Sequence, residues 1–210
     1  MAARRRFLGI DRRTIAPALL VLALALLMSV VLPAIDAGTP YHHAVRAGDV
    51  AEVAGGITLV PASGWSLADG ALAGRTRSPV GDTAQTELVD GSVDFFVQAA
   101  PFAGTPAALL ARINRIDADL HRARGRAAAT SHHYTVTTRQ GVGGVAEDFV
   151  GLARQGSVVA FVFRSRGPST GPTGQPVREG VEIVVSGPSG SLDRRRDVVV
   201  RMIRSIRAAS

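Results

Sequence analysis

Residues 15–35 read IAPALLVLALALLMSVVLPAI, an apolar run in which Ser29 is the sole hydrogen-bonding side chain. At ~1.5 Å per residue a helix over this run is about 31 Å long, which matches a bilayer hydrocarbon core of roughly 30 Å. Pro17 falls in the first turn, where a missing N–H costs little, and Pro33 falls near the end. Each Leu, Ile or Val contributes about −0.3 to −0.6 kcal/mol at the centre of a span, so insertion is favourable by several kcal/mol. The run is predicted to be a transmembrane helix. Arg4, Arg5, Arg6, Arg12 and Arg13 precede it, while the stretch 36–49 after it holds Arg46 alone. The arginine-rich side stays in the cytoplasm, which gives a basic cytoplasmic tail (1–14), a single pass through the cell membrane and an extracytoplasmic remainder. A cleaved export signal competes with this reading. The run, however, exceeds the usual ~7–15 apolar residues of such signals, and the best small-residue site, Ile35-x-Ala37, begins with a bulky residue.

The distribution of charge narrows the choice of partner. The chain's 24 basic residues are all arginine, and its net charge is +7. Residues 1–14 hold five arginines against Asp11, whereas residues 36–210 hold 19 against 16 acids. A basic tail on a nearly balanced domain argues against nucleic acid. Cysteine is absent, which excludes disulfides, thiolate metal sites, a cysteine nucleophile and a lipid-modified N-terminal cysteine.

Residues 36–52, with Gly38, Pro40 and Gly48, read as a juxtamembrane linker, and the folded domain is expected over 53–210. A short strand (Ile57–Val60) leads through Pro61 and Gly64 to a second extended piece at Trp65. Asp90-Gly91 between apolar runs signals a hairpin, with Val93, Phe95 and Val97 alternating with Asp94 and Gln98. The period then changes. Thr105 is a natural N-cap, Pro106 suits the first helical position, and Leu109, Ile113, Ile116 and Leu120 form an apolar stripe. Strands resume as HHYTVTT, GVAEDFVG, SVVAFVF and GVEIVVSG, and an exposed Gly- and Pro-rich loop is expected at 164–177. Val158–Phe163 is apolar at both parities and predicts an inner strand covered on both faces. The last segment predicts an amphipathic helix, with Leu192, Val199, Met202, Ile203 and Ile206 inward and Arg194, Arg201 and Arg204 outward. Strands, helix, strands, helix indicate an α+β fold: an antiparallel sheet with helices packed on it.

Chemistry-bearing motifs are few. Gly141-x-Gly143-x-x-Ala146 has the spacing of a dinucleotide-binding loop, but Gly151 and Gly156 interrupt the segment after it, so no helix N-terminus is expected to receive a phosphate. A hairpin turn is the expectation. The adjacent pairs His42-His43 and His132-His133 point to opposite sides of an extended chain, as do Glu147 and Asp148, so neither a metal chelate nor a carboxylate dyad is expected from them. Asp117 and Asp119 fall on different helix faces, and Ser63-Gly64-Trp65 lacks the flanking pattern of a nucleophile elbow. No catalytic residue, cofactor site or metal site emerges. The candidate contact residues for a ligand or partner are Trp65, Arg194, Arg201 and Arg204.

The stretch ITLVPASGW, an apolar strand leading to Pro61, Gly64 and Trp65, resembles the opening of Mog1/PsbP-like domains. The later hairpins, the TPAALLARI helix and the closing VVVRMIRSI helix fit the same αβα-sandwich order, over roughly residues 53–208. The resemblance implies a domain of the kind that mycobacteria and related actinobacteria attach outside the membrane, associated with envelope lipid export and protein contact rather than catalysis. The function expected from it is a membrane-anchored, non-enzymatic accessory or scaffold protein, with inner-membrane envelope transport or secretion machinery as partner. The alternatives are an extracytoplasmic protein that binds lipid or another small ligand, and an accessory subunit of a specialised secretion system.

Overall fold

The computed structural model describes Val21 and residues 43–74, 85–122, 129–151, 154–164 and 178–208. The chain divides into two units, Met1–Pro40 and Tyr41–Ser210. In the first, Val21 alone is described, and it is helical and exposed. The basic tail and, apart from that position, the span expected at 15–35 therefore lie outside the described residues. So does the loop at 165–177. Among the described residues no helix is long and apolar enough to cross a membrane.

The second unit runs β1 (His43–Ala44), β2 (Ala51–Val53), β3 (Ile57–Leu59), β4 (Ser66–Asp69), β5 (Ala71–Leu72), β6 (Gln85–Asp90), β7 (Val93–Pro101), α1 (Pro106–Arg122), β8 (Ala129–Thr137), β9 (Gly143–Val150), β10 (Gln155–Arg164), β11 (Arg178–Gly187), α2 (Ser191–Ser205) and β12 (Arg207–Ala208). Eight strands form one sheet in the order β1-β4-β6-β7-β11-β10-β9-β8, and four short ones form another, β12-β3-β2-β5. The described strand pairs are antiparallel. The α+β class holds, and the small sheet is an addition that the sequence did not announce.

Alternation along the strands sorts the core into two layers. On one face of the large sheet, Phe95, Val97, Phe161, Ile183 and Val185 pack with Val199, Met202, Ile203 and Ile206 and with Ile57 and Leu59 of the small sheet. On the other face, Leu109, Leu110 and Ile113 of α1 meet Val158 and Ala160, flanked by Val145, Phe149 and Val184. Strand β10 contributes to both layers, as its doubly apolar pattern required. Gly156 on this strand has a packing reason: a Cβ there would lie 1.9 Å from the Val185 carbonyl oxygen and 2.7 Å from Phe149 Cζ.

Helix α1 is capped as its sequence suggests. The Ala108 N–H donates to Thr105 Oγ1 (3.2 Å) and the Leu109 N–H to the Thr105 carbonyl (3.0 Å). Its buried stripe is rotated from the one expected. Ile116 is 50% exposed, while Asn114 and Asp117 are half-buried. The sheet beneath that turn carries the carboxylates Glu147 and Glu182, so the helix presents polar side chains to it.

The linker expected over 36–52 is shorter than the sequence implied. Strand β1 pairs with β4, the Val45 N–H donates to the Trp65 carbonyl (2.8 Å), and Val45 and Ala51 are buried. The fold therefore already includes His43. The segment from Thr138 to Val142 is the connection between β8 and β9. The Gly141 N–H donates to the Thr138 carbonyl (3.0 Å) at φ +80°, and the Val142 N–H to Thr138 Oγ1 (3.1 Å). Gly143 and Ala146 are strand residues of β9. The glycine motif is a hairpin turn.

Candidate functional site

Helix α2 is held on the sheet by Val199, Met202 and Ile203, and Ile206 comes directly behind it, all four buried. At 3.6 residues per turn, Arg194, Arg201 and Arg204 fall within a sector of about 80° on the side of the helix opposite that stripe. All three are exposed. Among the described residues no ion pair or side-chain hydrogen bond engages them. Two neighbouring arginines are committed elsewhere: Arg195 pairs with Asp90 (2.9 Å), and Arg207 Nε donates to Thr58 Oγ1 (3.4 Å). The β8–β9 turn adds a fourth exposed arginine, since the Arg139 N–H donates to the Arg204 carbonyl (2.8 Å). A guanidinium stays charged throughout the accessible pH range and offers planar paired donors to carboxylate or phosphate oxygens. The apolar stripe fixes the helix, and the arginine row is free to bind.

Trp65 has a different place from the one expected of a contact residue. It is 2% exposed and meets Phe95 edge-on, with centroids 6.2 Å apart and planes at 89°. Such T-shaped pairs stabilise cores beyond their buried area. The indole belongs to the interior, against Phe95 of β7, and offers no surface to a partner. The sequence candidates thus divide into three joined arginines and one core tryptophan.

Two polar clusters are not visible in the sequence pattern. Strand alternation sends Glu147 under α1, where Asn114 Nδ2 donates to its Oε2 (2.6 Å) and His133 Nε2 lies 3.2 Å from the same atom. The carboxylate is buried, and these two partners compensate its desolvation. On the opposite face Asp148 Oδ1 accepts the Ser157 hydroxyl (2.5 Å) and the Tyr134 hydroxyl (3.0 Å). Burial pushes the Tyr134 phenol up from its ordinary pKa. Glu182 is also pushed up, first by burial and then by the negative charge of Asp117 on α1. Glu147 lies at the same strand parity as the apolar Val145 and Phe149, and that signal could have marked it as inward-facing. Among the described residues no group of three or more His, Asp or Glu is placed to hold a metal ion.

No protein-family model and no curated protein sequence matches the chain. Among solved structures it is similar to the solution structure of cyanobacterial PsbP (CyanoP) from Synechocystis sp. PCC 6803, at 12% identity and a TM-score of 0.47, over 78% of this chain and 95% of that one. A likeness of this grade is one of chain trace, and it transfers neither partner nor activity.

Proposed function

We propose that this chain is a membrane-anchored, non-enzymatic accessory protein of an actinobacterial cell envelope. In this reading its Mog1/PsbP-like domain stands outside the membrane and assists envelope lipid export by holding protein partners. The observation that carries the reading is the row Arg194, Arg201 and Arg204, exposed and without described ion pairs on a helix whose other side is locked into the core. A rigid element with a free charged face suits recognition, because little conformational freedom beyond that of the arginine side chains is lost on binding. The apolar run at 15–35 and the arginines before it support the anchor and its orientation. The core position of Trp65 weighs against a ligand groove beside it.

The test is affinity purification of the tagged full chain from actinobacterial membranes, with partners identified by mass spectrometry. The variant Arg194→Gln/Arg201→Gln/Arg204→Gln is expected to melt as the parent does and to lose its partners by about tenfold or more, since steering and pairing both depend on those charges. Equal partner recovery by a normally folded variant would overturn the reading.

A further inference from the structure

The large sheet ends differently at its two edges. At one edge stands β1, with two residues, and at the other stands β8, with nine. Among the described residues nothing pairs with the outer side of β8. An open edge is a template for another strand unless charge, proline or a bulge blunts it. Strand β8 reads ATSHHYTVT, with no Asp, Glu, Arg, Lys or Pro. One blunting device is present, a register shift between Ala129 and His133, and it leaves a regular stretch from His133 to Thr137. Along that stretch Tyr134 is 41% exposed, and His133, Thr135 and Thr137 are exposed as well.

Two residues past the strand, Arg139 is bonded through its backbone to Arg204, so the open edge runs directly into the arginine row of α2. We infer that β8 docks an extended segment of a partner protein as a ninth strand, and that this segment carries acidic residues at its N-terminal end. The described strand pairs are antiparallel, and antiparallel addition lays the N-terminal end of the incoming strand beside Thr137, Arg139 and Arg204. Main-chain hydrogen bonds supply the grip. Tyr134 and Val136, on one face, favour β-branched or aromatic residues alongside them. A second copy of this chain fits less well, because β8 contains no acid to set against those arginines. The inference rests on the reading of the arginine row as a partner-contacting face.

The experiment uses the full chain in mild detergent and fluorescein-labelled peptides, read by fluorescence anisotropy. The probes are Asp-Asp-Glu-Thr-Val-Thr-Val-Thr-Val, its reversed-polarity form with the acids last, and the acid-first peptide N-methylated at alternate amides in each of the two registers. The acid-first peptide should bind best and protect the amides of 133–137 from hydrogen exchange. One N-methylated register should lose about tenfold or more, through two or three lost hydrogen bonds, without any change to the protein. Arg139→Gln/Arg204→Gln should weaken binding several-fold and flatten its salt dependence. If both N-methylated peptides bind as well as the parent, strand addition is overturned. A concentration-dependent protection of the same amides without peptide would assign the edge to a second copy and also overturn it. Neither result touches the membrane purification, which fails or succeeds on the arginine triple alone.

Discussion

The arginine row can act as a rigid surface only if the other side of α2 closes the core, and one pair of substitutions tests that directly. Met202 is 1% exposed and packs in the main cluster, whereas Val200, two positions earlier on the same helix, is 42% exposed. Truncating a buried methionine to alanine removes its transfer free energy and leaves a cavity, at a cost of about 2–5 kcal/mol. Each kcal/mol lowers Tm by roughly 2–4 °C in a domain of this size, so Met202→Ala should melt roughly 4–20 °C below the parent. Val200→Ala deletes apolar atoms that remain largely in water and replaces a β-branched residue with the best helix former. It should shift stability by no more than about 0.5 kcal/mol. Circular dichroism melts of the full chain and the two variants, under identical detergent and salt, decide the matter. If the two substitutions cost the same, or if Met202→Ala melts with the parent, α2 is not a core element. The case for a fixed arginine face then fails with it.

Two further outcomes rest on the same geometry. Gly156→Ala places a Cβ 1.9 Å from the Val185 carbonyl oxygen, so the β10–β11 register must yield, and destabilisation of about 3 kcal/mol or more is expected in denaturant unfolding. Glu182 is held above its ordinary pKa by burial and by Asp117, so it contributes stability that is present below the unfolded-state pKa and lost as pH rises through the folded value. Glu182→Gln should therefore match the parent below about pH 4 and exceed it near pH 7, and parallel denaturant titrations across that window check the sign.

Much of the α+β architecture was legible because its elements are long enough to show a period. Val93, Phe95 and Val97 alternate with polar residues, and β7 buries that parity. Val199, Met202, Ile203 and Ile206 recur at helical spacing, and the same residues are buried. The arginine row was readable for the same reason, as the complement of that stripe. The small sheet was not, because strands of two or three residues carry no periodicity and depend on pairing between distant segments. The stripe on α1 was legible at Leu109 and Ile113, both buried, and not at Ile116. Ile116 fits the pattern by hydrophobicity, yet the sheet below offers Glu147 and Glu182, and the helix rotates Asn114 and Asp117 toward them. The cluster of Asn114, His133 and Glu147 requires both a helix crossing and the β8–β9 register, which is interrupted by a shift. Trp65 was ambiguous because an indole serves equally in a core or at a groove; only packing against Phe95 separates the two.

The pairing of β12 with β3 also orders events in time. Arg207 and Thr58 are 149 positions apart, and joining them completes the four-stranded sheet. Chains emerge N-terminus first and only slowly bring together segments so distant in sequence. Strands β2, β3 and β5 can pair locally, but β3 gains its outer neighbour, and Ile57 and Leu59 their packing against α2, once the last segment has been synthesised. A chain stopped before residue 190 would lack both α2 and β12, and Ile57 and Leu59 would lose the neighbours that those elements supply.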